Sequence, residues 1–232
     1  MRQIIFDTET TGFDPGEHRV VEIGAIELVR GAITGNSFHV YINPERDMPP
    51  DAERVHGLSA AFLRDKPVFG HDSVGKAFCA FIADAELIAH NADFDMRFIQ
   101  YELKKCGLPA LANSVIDTLK LARRKFPGAP ASLDALCSRF GIDTAERERH
   151  GHGALLDSRL LAEVYIELTG GAQAGLDFTT LRDGEEDGSI GGKALQRPVP
   201  LDRSLSDGEK AAHAAFIAEM ESPLWAKLLK AG

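Results

Sequence analysis

The spacing of apolar positions changes along the chain, and the changes mark its organisation. Gln3 to Asp7 (QIIFD) is a short apolar run that predicts a buried strand. Arg19 to Val29 (RVVEIGAIELV) mixes apolar with acidic residues and predicts a second strand; Phe38 to Ile42 (FHVYI) predicts a third. Gly31 to Ser37, containing Gly and Asn, is the expected turn between the last two. Three early strands so close together predict an antiparallel meander. Helical spacing then alternates with short apolar runs. Val74–Ala83 predicts a helix, Glu86–Ala89 (ELIA) a strand and Asp95–Cys106 a helix. Val115–Ile116 predicts a central strand leading into a helix that ends near Lys125. Leu133–Phe140 predicts a helix capped by Ser132, and Leu155–Leu168 an amphipathic helix stopped by Gly170 and Gly171. A meander followed by strand–helix alternation implies the α/β class, a mixed sheet with helices on its faces.

The texture changes after about Phe178. Gly184–Lys193 (GEEDGSIGGK) holds four glycines and predicts a flexible linker. Beyond it, Ser206 and Glu209 fit a capping box, with a helix expected from Asp207 to Glu221. Pro223 starts a new turn, and Leu224, Trp225, Leu228 and Leu229 make an apolar stripe. Two short helices cannot bury such a stripe alone, so the tail is expected to dock on another protein rather than fold back.

Composition narrows the class. The chain has 232 residues, 44% hydrophobic and 26% charged, which fits one globular domain with an appendage. Its net charge of −9 argues against a whole-surface electrostatic grip on nucleic acid, though not against a small basic groove or bound metal. Cys79, Cys106 and Cys137 are widely spaced and odd in number, so reduced, mostly buried thiols are expected rather than a disulfide framework or a zinc site. The N-terminus lacks the apolar stretch of a secretory signal, and no run approaches a membrane span. The expectation is a soluble cytoplasmic protein with no membrane partner.

Three clusters carry candidate chemistry. In Asp7-Thr8-Glu9-Thr10-Thr11-Gly12, strand alternation points Asp7 and Glu9 to one face. Two carboxylates buried together at the end of an apolar strand are costly unless a cation lies between them, and hard divalent cations favour carboxylate oxygens. A solvated acidic turn is the plainer alternative. In His90-Asn91-Ala92-Asp93-Phe94-Asp95, an acid lies at a strand's C-terminal end, where α/β folds place ligands. Helix capping by Asp93 or Asp95 is the alternative there, and the sequence physics does not decide which Asp faces the site. In His150-Gly151-His152-Gly153-Ala154-Leu155-Leu156-Asp157, a histidine in a glycine loop precedes a helical carboxylate. A neutral imidazole suits a general base, whereas a surface loop histidine is the commoner fate. Together, four carboxylates and one histidine suit two Mg²⁺ ions roughly 3.5–4 Å apart, with phosphodiester hydrolysis as the reaction such a site best serves.

At these residues the chain resembles a known family, the DnaQ-like 3′–5′ exonucleases, and within it the epsilon proofreading subunits of bacterial DNA polymerase III. The resemblance covers most of the chain. Its motifs DTETTG, HNAxFD and HGALLD stand here as Asp7–Gly12, His90–Asp95 and His152–Asp157. The resemblance implies a ribonuclease-H-like fold. It implies Asp7, Glu9, Asp95 and Asp157 as ligands of two Mg²⁺ or Mn²⁺ ions, and His152, rather than His150, as the base. VHGL at Val55–Leu58 is similar to the family's loop at the terminal nucleotide, which implies contacts from Val55 and His56; Thr10 is implied at the 3′ end. Phe94 either stacks on a base or packs in the core. Asp117 is expected to cap a helix. Gln173-Ala174-Gly175-Leu176-Asp177-Phe178 resembles the QxxLxF peptide that binds the sliding clamp, with Gln173 hydrogen-bonding and Leu176 and Phe178 filling an apolar pocket. The tail corresponds in position to the segment that tethers the family to the polymerase catalytic subunit. The implied layout is an exonuclease domain over residues 1–172, a clamp peptide at 173–178, a linker at 179–205 and a polymerase-binding tail at 206–232.

Three functions follow. The first is a proofreading subunit that removes mismatched nucleotides from single-stranded or frayed DNA 3′ ends as nucleoside 5′-monophosphates. The second is a stand-alone 3′–5′ exonuclease that trims DNA or RNA, which the catalytic motifs also allow. The third is a non-enzymatic adaptor between clamp and polymerase, against which the five intact site positions argue.

Overall fold

The structure, a computed structural model, describes residues 1–170 and 205–219. The first strand, β1 (Arg2–Thr10), runs past the expected end at Asp7. Thr8, Glu9 and Thr10 still pair with Ile23, Glu22 and Val20 of β2 (Val20–Val29), and the register slips only between Glu9 and Thr10. Both acids of the first motif therefore sit on one regular strand.

β3 is Ala32–Tyr41, so the segment expected as a turn is strand instead. The turn is the two-residue Arg30–Gly31, with φ of 54° and 79°, the left-handed pair that matches hairpin twist. The polar residues that suggested a loop are used on the strand. Thr34 Oγ1 and Asn36 Nδ2 each donate to Glu27 at 2.7 Å, beside Arg2 Nε at 2.5 Å. The Arg2 bond, then those of Thr34 and Asn36, hold the Glu27 carboxyl down at about 2.

After α1 (Pro50–His56) and α2 (Ala60–Leu63), a wide π turn at Asp72–Lys76 leads into α3 (Ala77–Ile82). Then follow β4 (Glu86–Ala89), α4 (Ala92–Lys105), β5 (Val115–Asp117), α5 (Thr118–Lys125), α6 (Leu133–Phe140), α7 (Ala145–His150) and α8 (Ala154–Thr169). Ser132 caps α6 as expected, its side chain accepting from Ala135 N–H. Among the described residues, five strands form one mixed sheet in the order β3-β2-β1-β4-β5. The β3, β2 and β1 neighbours are antiparallel; β1, β4 and β5 are parallel.

Alternation on β1 sorts the layers. Ile4 and Phe6 pack with Phe78 of α3 and Phe98 and Leu103 of α4. Ile5 faces the other way, onto Leu136 of α6 and Leu161 and Val164 of α8. Burial of each such side chain contributes about 1.5–3 kcal/mol. The observed architecture is the expected mixed sheet with helices on both faces. Cys79 is half-buried and Cys137 buried, but Cys106 is exposed at the end of α4, where the expectation of buried thiols fails.

The close contact of α8 with the sheet is set by Gly24. A Cβ there would lie 2.1 Å from the backbone nitrogen of Leu155, so no side chain fits between β2 and the helix start. Ser158 Oγ then donates to Gly24 O at 2.9 Å. The chain divides at Asp177/Phe178 into two units. In the second, α9 is Asp207–Ala218, and Ser206 and Glu209 complete the expected capping box. Its Phe216 is exposed. Gln173, Leu176 and Phe178 and the Leu224–Leu229 stripe lie outside the described residues.

Candidate active site

Asp7 and Glu9 point from β1 toward the α8 face. Asp95 arrives from the first turn of α4 and Asp157 from the first turn of α8. Asp95 is 3% exposed and Asp157 5%. Thr8 N–H and Thr8 Oγ1 both donate to Asp95 Oδ1, at 3.1 and 2.6 Å, which locks α4 to the strand between the two β1 acids. Asp93, the other acid of that motif, is exposed and pairs with Lys120 at 2.9 Å. The structure thus separates two acids that the sequence physics left equal.

His152 sits at the mouth, its side chain 43% exposed, with Nδ1 3.3 Å from Asp157 Oδ2. His152 N–H reaches Val55 O at 3.4 Å, which stitches the histidine loop to the end of α1. Glu9, His152 and Asp157 each offer a ligand atom within 4.8 Å of the others.

The electrostatics of this cluster are unfavourable without a counter-charge. Burial, then the charges of Asp95, Glu9, Asp157 and Glu22, hold the Asp7 carboxyl well above the usual carboxylate range. Glu9 is pushed up to about 8 by burial, then by Asp157, Glu22 and Asp95. Asp95 rises to about 7 because burial outweighs its Thr8 bonds. Asp157 is raised by burial, against the pull of Arg147 and His152. A divalent cation would reverse each of these penalties. Asp157 Oδ1 is buried and makes no hydrogen bond, with Arg147 Nε 2.8 Å away as its ion-pair partner. Carboxylate oxygens are the donors that hard divalent cations take, so the residues fit such a metal.

The other expected contact residues differ in exposure and in what their side chains touch. Val55 is 51% exposed. His56 is buried; Leu58 N–H donates to its Nδ1 at 3.0 Å, and its Nε2 faces the Thr10 backbone without closing a well-aligned hydrogen bond. Thr10 is buried and its Oγ1 donates to Gly12 O at 2.6 Å. Phe94 packs partly on the core, its ring 5.0 Å from Phe98 on one side and 6.5 Å from exposed Phe13 on the other. Asp117 caps α5 by accepting from Leu119 and Lys120 N–H, and it also accepts from Asn91 N–H at 3.2 Å. That last bond holds Asn91 in its left-handed conformation (φ 64°) directly before α4.

The family model described as "Exonuclease" matches residues 4–165. The chain belongs to this exonuclease family. It is 54% identical over 179 residues to DNA polymerase III subunit epsilon of Rickettsia felis, covering 75% of this chain and 76% of that protein. It is 44% identical over 228 residues to the same subunit of Escherichia coli K12, covering 92% and 91%. Among solved structures, exonuclease X in complex with 5′ overhanging duplex DNA superposes with a TM-score of 0.56 at 29% identity, over 72% of this chain and 90% of that one. Exonuclease I shares the fold, with a TM-score of 0.60 at 19% identity, over 72% and 40%. The chain is an exonuclease of the proofreading 3′–5′ class to which the epsilon subunits belong.

Within this exonuclease family fold, three side chains at the site escape the sequence reading. Glu22 lies opposite Glu9 on β2, 3% exposed, with His39 Nε2 at 2.7 Å. Its place in an apolar strand was a visible signal. Phe13, 85% exposed beside Phe94, reads as an ordinary loop residue. Arg147 of α7 reaches Asp157 and His152, but its run AERERH reads as a solvated charged face.

Proposed function

We propose that this exonuclease is the proofreading subunit of a replicative DNA polymerase, and that it hydrolyses the terminal phosphodiester of a mismatched primer 3′ end. The observation that carries this reading is the convergence of Asp7, Glu9, Asp95 and Asp157 from three elements, with His152 at their rim. The four carboxylates would hold two Mg²⁺ or Mn²⁺ ions. When bound, such ions lower the pKa of a water and stabilise the leaving 3′ oxygen. His152, on a glycine-flanked segment open to solvent, takes the water's proton as the general base. Thr8 holds Asp95 in place, and Gly24 fixes how closely Asp157 approaches β1. Nucleoside 5′-monophosphate leaves.

Val55, His56, Thr10 and Phe94 receive the terminal nucleotide. With Leu58 N–H on Nδ1, Nε2 of His56 carries the ring proton and is a donor for it, and Phe94 with Phe13 forms an aromatic step at the entrance, worth roughly 1–3 kcal/mol per stacked base. A frayed end enters more easily than a paired one because unpairing costs energy. The proposed layout keeps the exonuclease domain at residues 1–172 and the clamp peptide at 173–178, with Gln173, Leu176 and Phe178 as anchors. The linker at 179–205 and the tail at 206–232 tether the domain to the polymerase catalytic subunit in the cytoplasm. The exposed Phe216 of α9 supports a partner for that tail. The test is digestion of 3′-mismatched and matched primer–templates, and of an RNA oligonucleotide, with Mg²⁺ and with chelator. Faster loss of the mismatched DNA, only with Mg²⁺, is expected. Preference for RNA would favour a trimming enzyme instead.

A further inference from the structure

Arg147 projects from α7 into the catalytic end of the site, its side chain only 10% exposed. Its Nε lies 2.8 Å from Asp157 Oδ1 and its Nη2 2.9 Å from Asp157 Oδ2. The same Nη2 lies 2.8 Å from His152 Nδ1. A guanidinium carries only donors, so against it Nδ1 is an acceptor, whereas the longer 3.3 Å approach to Asp157 Oδ2 would need Nδ1 as a donor; the shorter Arg147 contact favours the tautomer protonated at Nε2. Both oxygens of one proposed ligand and the lone pair of the proposed base are thus engaged by a single cation.

The fork is not a closed one. Nε and Oδ1 are close but misaligned, and each is buried without a hydrogen bond. The Nη2–Oδ2 arm is a hydrogen bond and the Nε–Oδ1 arm is held by charge alone, so the pair is half of a bidentate fork and is open to competition from a cation that uses both oxygens. Arg147 also has somewhere to go. Its Nη1 already pairs with Asp134 of α6, whose side chain is 68% exposed. A cavity of about 540 Å³, lined by Asp134, Ser138, Ile142, Thr144, Arg147 and His152, opens on that side.

We infer that Arg147 is a built-in counter-cation that holds Asp157 and His152 until a divalent metal displaces it toward Asp134. This inference rests on the metal reading of the site. Displacement does two things at once. It releases Asp157 oxygens to the metal, and it returns the Nδ1 lone pair of His152, either directly as the base or as the site to which the ring proton shifts when Nε2 takes that role. Metal loading and base release are then a single event, so His152 is not active ahead of the metal.

The test is metal binding by the chelator-stripped full-length chain, followed by calorimetry with Mn²⁺. With the competing state removed, Arg147→Gln should bind Mn²⁺ about tenfold more tightly than the wild type, because apparent affinity scales with the fraction of open site. Arg147→Lys, which keeps the charge and loses the fork, should fall between the two. A residue that merely props up the site would change affinity in the opposite direction, and a fixed charge that only repels the metal would leave the Arg147 Nε–H resonance protected at saturation. Equal or weaker binding by Arg147→Gln, or a gain there with none in Arg147→Lys, would overturn the inference alone. Absence of binding by the wild type and both variants would overturn the metal reading and this inference with it. The wild-type chain provides a second readout that needs no variant: the Arg147 Nε–H resonance should shift and lose exchange protection as Mg²⁺ saturates the site. A resonance unmoved at saturation would contradict displacement.

Discussion

Asp7 and Glu9 share a face because they lie two residues apart on a strand, and that parity was readable in the sequence. What it did not contain was the distance over which Asp95, Asp157, Glu22 and Arg147 act on them, since those contacts join residues far apart in the chain. The pH dependence follows from this crowding. The folded pKa values of Glu9, about 8, and Asp95, about 7, exceed the ordinary carboxylate values of the unfolded chain. The folded state therefore holds protons that the unfolded chain has released. The stability this contributes is fully present below the unfolded pKa and is lost as pH rises through about 7 to 8. Thermal denaturation of the chelated protein should show the melting temperature falling from about pH 5 to 8.5, and Mg²⁺ should raise it more at the upper end. Asp7→Asn should remove part of the repulsion, stabilising the chelated protein by roughly 0.5–2 kcal/mol while ending hydrolysis. A melting temperature that rises with pH in chelator would contradict the cluster's electrostatics.

At the scale of elements, spacing and caps marked most helices and the parallel strands. The hairpin was misread because Thr34 and Asn36, turn formers by type, have their polar groups satisfied on an edge strand by Glu27. α7 was missed because a short charged run has no apolar face to announce it. Gly24 was hidden in a strand, yet it determines where α8 delivers Asp157. Gly24→Ala should push its methyl into the backbone of Leu155 and cost about 3 kcal/mol or more, at the upper end of overpacking. Activity should fall even at temperatures where circular dichroism shows the chain folded, because Asp157 moves with the helix. Asp117→Ala should lose the α5 cap, about 0.5–2 kcal/mol, and also loosen Asn91 and the approach of Asp95. Asp117→Asn, which keeps an acceptor oxygen, should retain most of both stability and rate. Equal loss in the two variants would show that charge and not capping matters at Asp117.

Across the whole molecule, the −9 charge and the acidic site fit together. Most of that excess acid lies before residue 179, so the exonuclease unit should grip DNA weakly by itself. Affinity then comes from metal, from the terminal nucleotide and from tethering, which raises local concentration at the primer end. Salt titration of DNA binding should give a shallow slope, reflecting few phosphate contacts; a steep one would contradict weak electrostatic binding. Pull-down of clamp and polymerase subunits by the full-length chain, and not by residues 1–170, would locate both partners in the remainder. Among the described residues no helix is long and apolar enough to cross a membrane. The role of the carboxylates is tested most directly by release of mononucleotides from a 3′-mismatched primer by the wild type, Asp7→Ala and Asp157→Ala, each with Mg²⁺ and with chelator. Release by the wild type with Mg²⁺ alone, and by neither folded variant, is the predicted result. Undiminished release by both variants would contradict the site.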